Sequence, residues 1–373
     1  MTDDPISGGS AAGPTLESLG YSDRWRVLFE AQAKAGHVPA RVLRSDRGIA
    51  IVAAAGGFVR AEPSARLRRD TDAGAPACGD WVVLDPAPTH RTALIEGVLP
   101  RSSAFTRGAS DESSARQVIA ANVDTVFVVH PIEPAPNLRR IERELALAWE
   151  SGAIPVVVLT KCDVVDAAET ERRVAGVGEV ALGVDVLATS ATAGTGIESS
   201  RAYAREGQTV ALIGPSGVGK STLINALLGE ERQATREVRA SDGKGRHTTV
   251  TRELVPLPGG GVLLDTPGMR AVAMIDAQDG IATAFADITA LAEGCRFRDC
   301  THTGEPACAV TAAVEAGELP EERLSSWHKL LREAQVAAMR TDARLRAEEE
   351  RRWKHIHKSA REVYRLKGKD PGR

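Results

Sequence analysis

Hydrophobic positions change their period along the chain, and each change marks a boundary. Leu16, Leu19, Trp25, Leu28 and Phe29 fall at a loose helical spacing, which predicts a short amphipathic helix packed on whatever follows. From Arg41 to about Thr106 the apolar residues come in short runs (RVLRSDRGIAIVAA, GFVRAEP, GDWVVLDP, RTALIEGVLPR) divided by turn residues. Four or five strands at that spacing predict a small antiparallel barrel, with an OB-fold and an SH3-like barrel both open and the first favoured by strand count. Arg107 to Arg116, RGASDESSAR, is polar and Gly/Ser-rich and reads as a linker. From Gln117 strands and helices alternate. NVDTVFVVHPI, IPVVVLTKCD, DVLATSA and TVALIGPSG are strands, and LRRIERELALAWESG, closing on Gly152, AAETERRVAGVG and KSTLINALLG are helices. TRELVPLP and GVLLDTPG complete the set. Near-continuous Val/Ile/Leu runs between helices predict a mostly parallel sheet covered on both faces. After Met274 the pattern is helical to the end, with Trp327, Leu330, Leu331 and Val336 as the docking stripe of a long charged helix.

These patterns divide the 373 residues into five parts. They are an N-terminal extension (1–36), Gly/Ser/Asp/Ala-rich and disordered up to about Pro14; a barrel (37–106); a linker (107–116); an α/β domain (117–275); and a helical domain with a charged tail (276–373). The net charge of −3 gives the whole chain no electrostatic argument for nucleic acid. The tail differs, since 340–373 hold twelve Lys/Arg against six Asp/Glu, interleaved with Trp353, His355, His357 and Tyr364. Such a tail can track an RNA backbone and stack on bases, or be a solvated helix face. No leader pattern occurs, and no uncharged apolar stretch nears the roughly 18 residues of a membrane span, so a cytoplasmic protein without membrane association is expected.

The chemistry concentrates in four motifs. Gly214-Pro215-Ser216-Gly217-Val218-Gly219-Lys220-Ser221-Thr222 follows a strand and opens a helix, the context a phosphate loop requires. Its glycines let backbone N–H groups cradle phosphates, Lys220 reaches the β/γ oxygens and the Ser221 hydroxyl takes a Mg²⁺ position. Asp265-Thr266-Pro267-Gly268 ends a strand about fifty residues on. There the Asp265 carboxylate would meet Mg²⁺ through water and the Gly268 N–H would sense a γ-phosphate. In Thr160-Lys161-Cys162-Asp163 the carboxylate can accept two hydrogen bonds from guanine's ring N–H and exocyclic amine, and adenine would leave it unpaired. Lys161 would lay its stem along base and ribose. Thr160 stands where Asn is usual and keeps only a hydroxyl. Ser190-Ala191, ending the next strand, would bring a backbone N–H to the guanine oxygen. Finally, Cys295-x4-Cys300-x-His302-x5-Cys308 supplies three thiolates and one imidazole, a closed tetrahedral set of the structural zinc type. Cys78 and Cys162, the remaining two of five cysteines, carry no assigned chemistry.

The base motif precedes the phosphate loop, which reverses the ordinary GTPase order. A doubly wound sheet tolerates such a circular permutation because packing, not chain order, sets strand position. With these motifs in this order the chain resembles the circularly permuted GTPases known as ribosome small-subunit-dependent GTPase A, from about Arg41 to Lys329. The resemblance implies an OB-fold, a permuted GTPase domain and a zinc-bearing helical domain. It also implies GTP hydrolysis stimulated by the small ribosomal subunit during its late maturation, with that subunit and its rRNA as partners; a monomer is expected.

Gly245-Arg246-His247-Thr248-Thr249 lies where switch I should be. A threonine there completes the Mg²⁺ shell; Thr249 is favoured over Thr248, with little to separate them. Met269 follows Gly268 where many small GTPases hold a water-orienting glutamine, and a thioether cannot orient water. His247 is the nearest polar candidate, and its likeness to the family's switch histidine supports a water-orienting or general-base role. Lys220, His247 and Thr249 thus form the expected catalytic set. Two rival classes are a P-loop kinase or ATPase, against which the base motif argues, and a zinc-containing RNA-binding module with structural nucleotide, against which Lys220, Ser221 and Asp265 argue.

Overall fold

The computed structural model describes residues 14–46, 48–69, 75–86, 92–107, 117–231, 253–265 and 277–341. Five strands, β1 (Val38–Asp46), β2 (Ile49–Ala54), β3 (Gly57–Pro63), β4 (Trp81–Asp85) and β5 (Ala93–Val98), close a barrel in the order β1-β2-β3-β5-β4. Every pairing is antiparallel except β3 with β5. The expectation of an all-antiparallel barrel is corrected here, for a reason of arithmetic: strand directions cannot alternate all the way round an odd-numbered ring. Five strands in this Greek-key order make an OB-fold. Val42, Val52, Val82, Leu84 and Ile95 fill the barrel.

The expected N-terminal helix is shorter than its apolar spacing suggested. It spans α1 (Asp23–Glu30), while Leu16 and Leu19 lie in the turns before it and are buried. Tyr21 and Trp25 place their rings 5.1 and 5.9 Å from that of Trp81, fastening the extension to the barrel. Residues 1–13 lie outside the described set. β6 (Ala104–Arg107) and β7 (Gln117–Ala121) pair as an antiparallel ribbon, so the segment read as a linker begins with the last residue of one strand and runs to its partner; 108–116 are outside the described residues.

The α/β domain follows as β8 (Thr125–Pro131), α2 (Leu138–Glu150), β9 (Ile154–Thr160), α3 (Ala167–Gly178), β10 (Val186–Ala188), α4 (Ile197–Arg201), β11 (Thr209–Ile213), α5 (Lys220–Leu228), β12 (Glu253–Pro256) and β13 (Val262–Asp265). The sheet order is β10-β9-β8-β11-β13-β12, parallel throughout but for β12, which pairs antiparallel at the edge. Val126, Phe127, Val128 and Val129 of β8 are all fully buried, as a strand covered on both faces must be. Asn137 and Asp166 cap α2 and α3 with their side chains, and Gly152, at φ 84°, follows α2 as expected.

The C-terminal helices are α6 (Gln278–Ala284), α7 (Ala286–Ala292), α8 (Ala309–Glu315) and α9 (Glu321–Thr341). Leu324, Leu330 and Ala334 of α9 are buried, with Trp327 and Leu331 packed beside them. Val336 is 47 % exposed, because two residues beyond Ala334 the helix has turned some 200° away from the docked face. The charged tail, 342–373, lies outside the described residues. No helix among the described residues is long and apolar enough to cross a membrane.

Candidate nucleotide site and metal centre

Beyond β8 the chain builds the sheet in one direction, through β9 and β10; beyond β11 it builds in the other. The crevice where the order reverses, at the carboxyl ends of the strands, is the ligand site such sheets provide. The phosphate loop occupies it. Gly214 leaves β11 at φ 140°, and a Cβ there would lie 2.2 Å from the Val129 oxygen of β8, so only glycine lets the two backbones approach this closely. Gly217 and Gly219 also hold positive φ, and α5 starts at Lys220, which turns the N–H groups of its first turn toward the loop. The Lys220 ammonium folds back over the loop, donating to the Gly214 carbonyl at 2.8 Å and to that of Pro215. Ser221 and Thr222 are half-buried in the first turn of α5.

The base motif stands against this loop. Thr160 ends β9 and donates its hydroxyl to the Val218 carbonyl at 2.5 Å; its oxygen also lies 3.2 Å from the His130 carbonyl. Lys161, in the left-handed region at φ 62°, sends its ammonium to the Gly217 carbonyl at 3.4 Å. The hydroxyl that replaces the usual asparagine therefore ties the two loops together directly. Asp163 follows, exposed, within a short 3-10 turn, and accepts from the Thr192 hydroxyl at 3.3 Å. Hydrogen bonding from Ser190, more than from any other neighbour, holds its carboxyl below the usual range. Ser190 is buried two residues beyond β10, where its N–H donates to the Thr195 carbonyl and its hydroxyl accepts from the Ala193 N–H; Ala191 follows it in the same turn. The Cys162 N–H donates to the Thr189 carbonyl at 3.0 Å, joining the base turn to β10. The structure thus brings Thr160, Lys161, Asp163, Ser190, Ala191 and residues 214–222 to one crevice. Asp265 closes β13 at the same edge of the sheet. Gly268, His247, Thr248, Thr249 and Met269 lie outside the described residues.

Two neighbours of the crevice escaped the reading of the sequence. His130, 2 % exposed at the end of β8, holds the Glu144 carboxylate of α2 at 2.8 Å, and Arg140 donates to the other oxygen at 3.0 Å. Thr192 reaches Asp163. A histidine in an apolar strand and a threonine in a turn gave no signal, because each partner comes from another element.

In the C-terminal domain the donors of Cys295, Cys300, His302 and Cys308 all lie within 4.8 Å of one another. A tetrahedral centre with metal–sulfur bonds of about 2.3 Å and metal–nitrogen bonds of about 2.0 Å spaces its ligand atoms roughly 3.5–3.8 Å apart. Here Cys295 Sγ is 3.8 Å from Cys308 Sγ and 3.6 Å from His302 Nδ1, and His302 Nδ1 is 3.3 Å from Cys308 Sγ. The cluster fits a metal of the zinc type. Cys308 is also the N-cap of α8, its sulfur accepting the Thr311 N–H at 3.4 Å, which favours the thiolate a metal needs.

A phosphate loop at the switch point, met by a base motif that comes earlier in the chain, defines a circularly permuted P-loop GTPase, here with an N-terminal OB-fold and a C-terminal metal-binding domain. Residues 98–275 match the family model described as RsgA GTPase. The small ribosomal subunit biogenesis GTPase RsgA of Streptomyces avermitilis is 48 % identical over 346 residues, covering 92 % of both chains. Among solved structures, YjeQ of Thermotoga maritima covers 80 % of this chain and 98 % of its own at 28 % identity and a TM-score of 0.61. YloQ, described as a circularly permuted GTPase, shares the fold with a TM-score of 0.57 over 82 % of this chain and 97 % of its own, at 21 % identity. The chain belongs to the RsgA family of GTPases.

Proposed function

We propose that this GTPase binds GTP across the crevice between β8 and β11, is stimulated by the small ribosomal subunit, and serves a late step of that subunit's maturation. The observation that carries the site is the pair of contacts from Thr160 to Val218 and from Lys161 to Gly217, which sets the base motif against the phosphate loop. Asp163 reads the guanine edge, Lys161 covers base and ribose, and the turn at Ser190 and Ala191 offers an N–H to the guanine oxygen. Residues 214–222 hold the phosphates, with Lys220 leaving its loop carbonyls for the β/γ oxygens. Ser221, Asp265 and Thr249 or Thr248 are the residues we assign to Mg²⁺. That ion, bound with the nucleotide, draws charge from the phosphate oxygens. Gly268 senses the γ-phosphate and His247 orients the attacking water. Zinc is the metal we assign to the Cys3His cluster; four protein donors leave no open position, so its role is structural.

The division into 37–106, 107–116, 117–275 and 276–373 stands as our reading of the domains. The permutation places Gly268 immediately before the helical domain, which gives the γ-phosphate sensor a short route to a surface that can meet the subunit. The name carried by relatives across nearly their whole length supports the small ribosomal subunit as partner. The basic tail from Arg340 suits an RNA backbone. We place the protein in the cytoplasm, as a monomer.

The test is phosphate release from GTP and from ATP, with and without purified small subunits. GTP alone should turn over, slowly without subunits and faster with them. His247→Ala should lose about 100-fold of the stimulated rate, the size expected of a positioned base. Equal use of ATP would defeat the base assignment, and full stimulated turnover in the variant would remove His247 from the mechanism.

A further inference from the structure

We propose that Glu305 is the positioning residue of the metal centre: its carboxylate holds the loop around His302 in the backbone shape that brings Nδ1 to the three thiolates, and so sets how tightly the metal is kept. The inference rests on the reading of the Cys3His cluster as a metal site.

His302 lies in the left-handed region at φ 58°, a conformation that a non-glycine residue keeps only when its surroundings hold it there. The hold comes from one side chain three positions on. Glu305 Oε1 accepts the Thr301 N–H at 2.8 Å and the Thr301 hydroxyl at 2.5 Å, and Oε2 accepts the Thr303 N–H at 2.8 Å. A single carboxylate thus fixes the residues on both sides of the histidine. The Thr301 hydroxyl, with the N–H groups of Glu305, Thr301 and Thr303, draws the carboxyl down to about 2, so the acceptor is ionised at any pH where thiolates bind metal. From the other side α9 completes the clamp: His328 Nε2 is 2.8 Å from the Thr301 carbonyl, and the Trp327 ring is 5.3 Å from the imidazole. Groups that orient a ligand in this way are worth about 10- to 100-fold in metal affinity.

The experiment uses the full chain as purified, in three forms: parent, Glu305→Gln and Glu305→Ala. Metal content is measured, then transfer of the metal to an excess of chromogenic chelator; a second preparation of each is loaded with Co²⁺ and its visible spectrum recorded. The parent should hold a full equivalent of metal and give the spectrum of a tetrahedral three-sulfur, one-nitrogen site. Glu305→Ala should release metal about 10- to 100-fold more readily, with its Co²⁺ bands shifted as the imidazole leaves. Glu305→Gln, with one acceptor oxygen for the two sides of the loop, should fall between. If the parent carries no metal, the reading of the cluster is wrong. If the parent carries metal and both variants release it at the parent's rate with the parent's Co²⁺ spectrum, the cluster stands and the role of Glu305 is wrong.

Discussion

The α/β domain meets its two neighbours at seams that are each built round one buried arginine, and the two arginines are held by opposite chemistry. On the barrel side Arg41 of β1 is 1 % exposed. It donates to the carbonyls of Leu19, Asn122 (3.1 Å) and Gly79 (3.4 Å) and to the Thr209 hydroxyl (2.8 Å), and lies 5.3 Å from the centre of the Trp81 ring. All these partners are neutral, and burial pulls the guanidinium down to about 10, against the opposing pull of Asp124, Cys78 and Asp80. On the helical side Arg323 of α9 is 4 % exposed. It donates to Glu142 of α2 at 2.9 Å and to both oxygens of Asp287 at 2.5 and 2.9 Å, and Ser326 donates to the second oxygen of Glu142 at 2.5 Å. Donors are satisfied at both seams, but only the second neutralises its charge, and it does so with two carboxylates to one cation. Each seam also reaches one wall of the crevice. Thr209 opens β11, which ends in the phosphate loop, and Glu142 shares α2 with Glu144, which holds His130 at the end of β8.

If this difference is real, the seams should break unequally. Arg323→Met leaves the buried Glu142 and the half-buried Asp287 with no cation between them, and removing one partner of a buried ion cluster costs about 3–5 kcal/mol. The expected result is a corresponding drop in the denaturation midpoint, reported most directly by Trp327 on the same helix. Arg41→Met should cost less, about 2 kcal/mol, because the carbonyls and hydroxyl it abandons lose a donor but orphan no charge. Equal losses, or a larger loss at Arg41, would mean that the charge of the partners is irrelevant and that the seams differ only in name.

In β1 Arg41 lies on the face opposite Ala40 and Val42, which line the barrel, and so points out of it; nothing in the local run RVLRSD says that another domain covers that face. Arg323, in EERLSSW, reads as an ordinary charge in the first turn of a helix. Both become seam residues through elements far away in sequence, and local period carries no such knowledge. The same limit explains the parallel pairing of β3 with β5. It also explains why the partner of the Thr160 hydroxyl was not foreseen, since Val218 arrives 58 positions later. What the sequence does make legible is whatever is local: the buried Val/Ile/Leu strands, the glycine that closes α2, the glycines of the phosphate loop, and the spacing of four metal donors.

The smallest effect, and the sharpest on the helical seam, concerns pH. Burial raises the Glu142 carboxyl above its ordinary 4.5; the hydroxyl of Ser326 and the charge of Arg323 oppose that rise, while Asp287 adds to it. A carboxyl with a raised folded value binds its proton more tightly in the native state. Its contribution to stability is therefore fully present below the unfolded value and is lost as pH rises through the folded one. Glu142→Gln cannot titrate, and its side-chain oxygen can still accept from Arg323, so the difference in stability between parent and variant should drift against the parent as pH climbs above about 4.5. Taking that difference removes Asp80 and Asp124, raised carboxyls that both proteins share at the barrel seam. Denaturation midpoints of the two proteins across the acid range provide the measurement. A constant difference would show that Arg323 holds Glu142 charged as easily as water does, and that burial at the helical seam is offset in full, unlike the burial of Arg41 at the barrel seam.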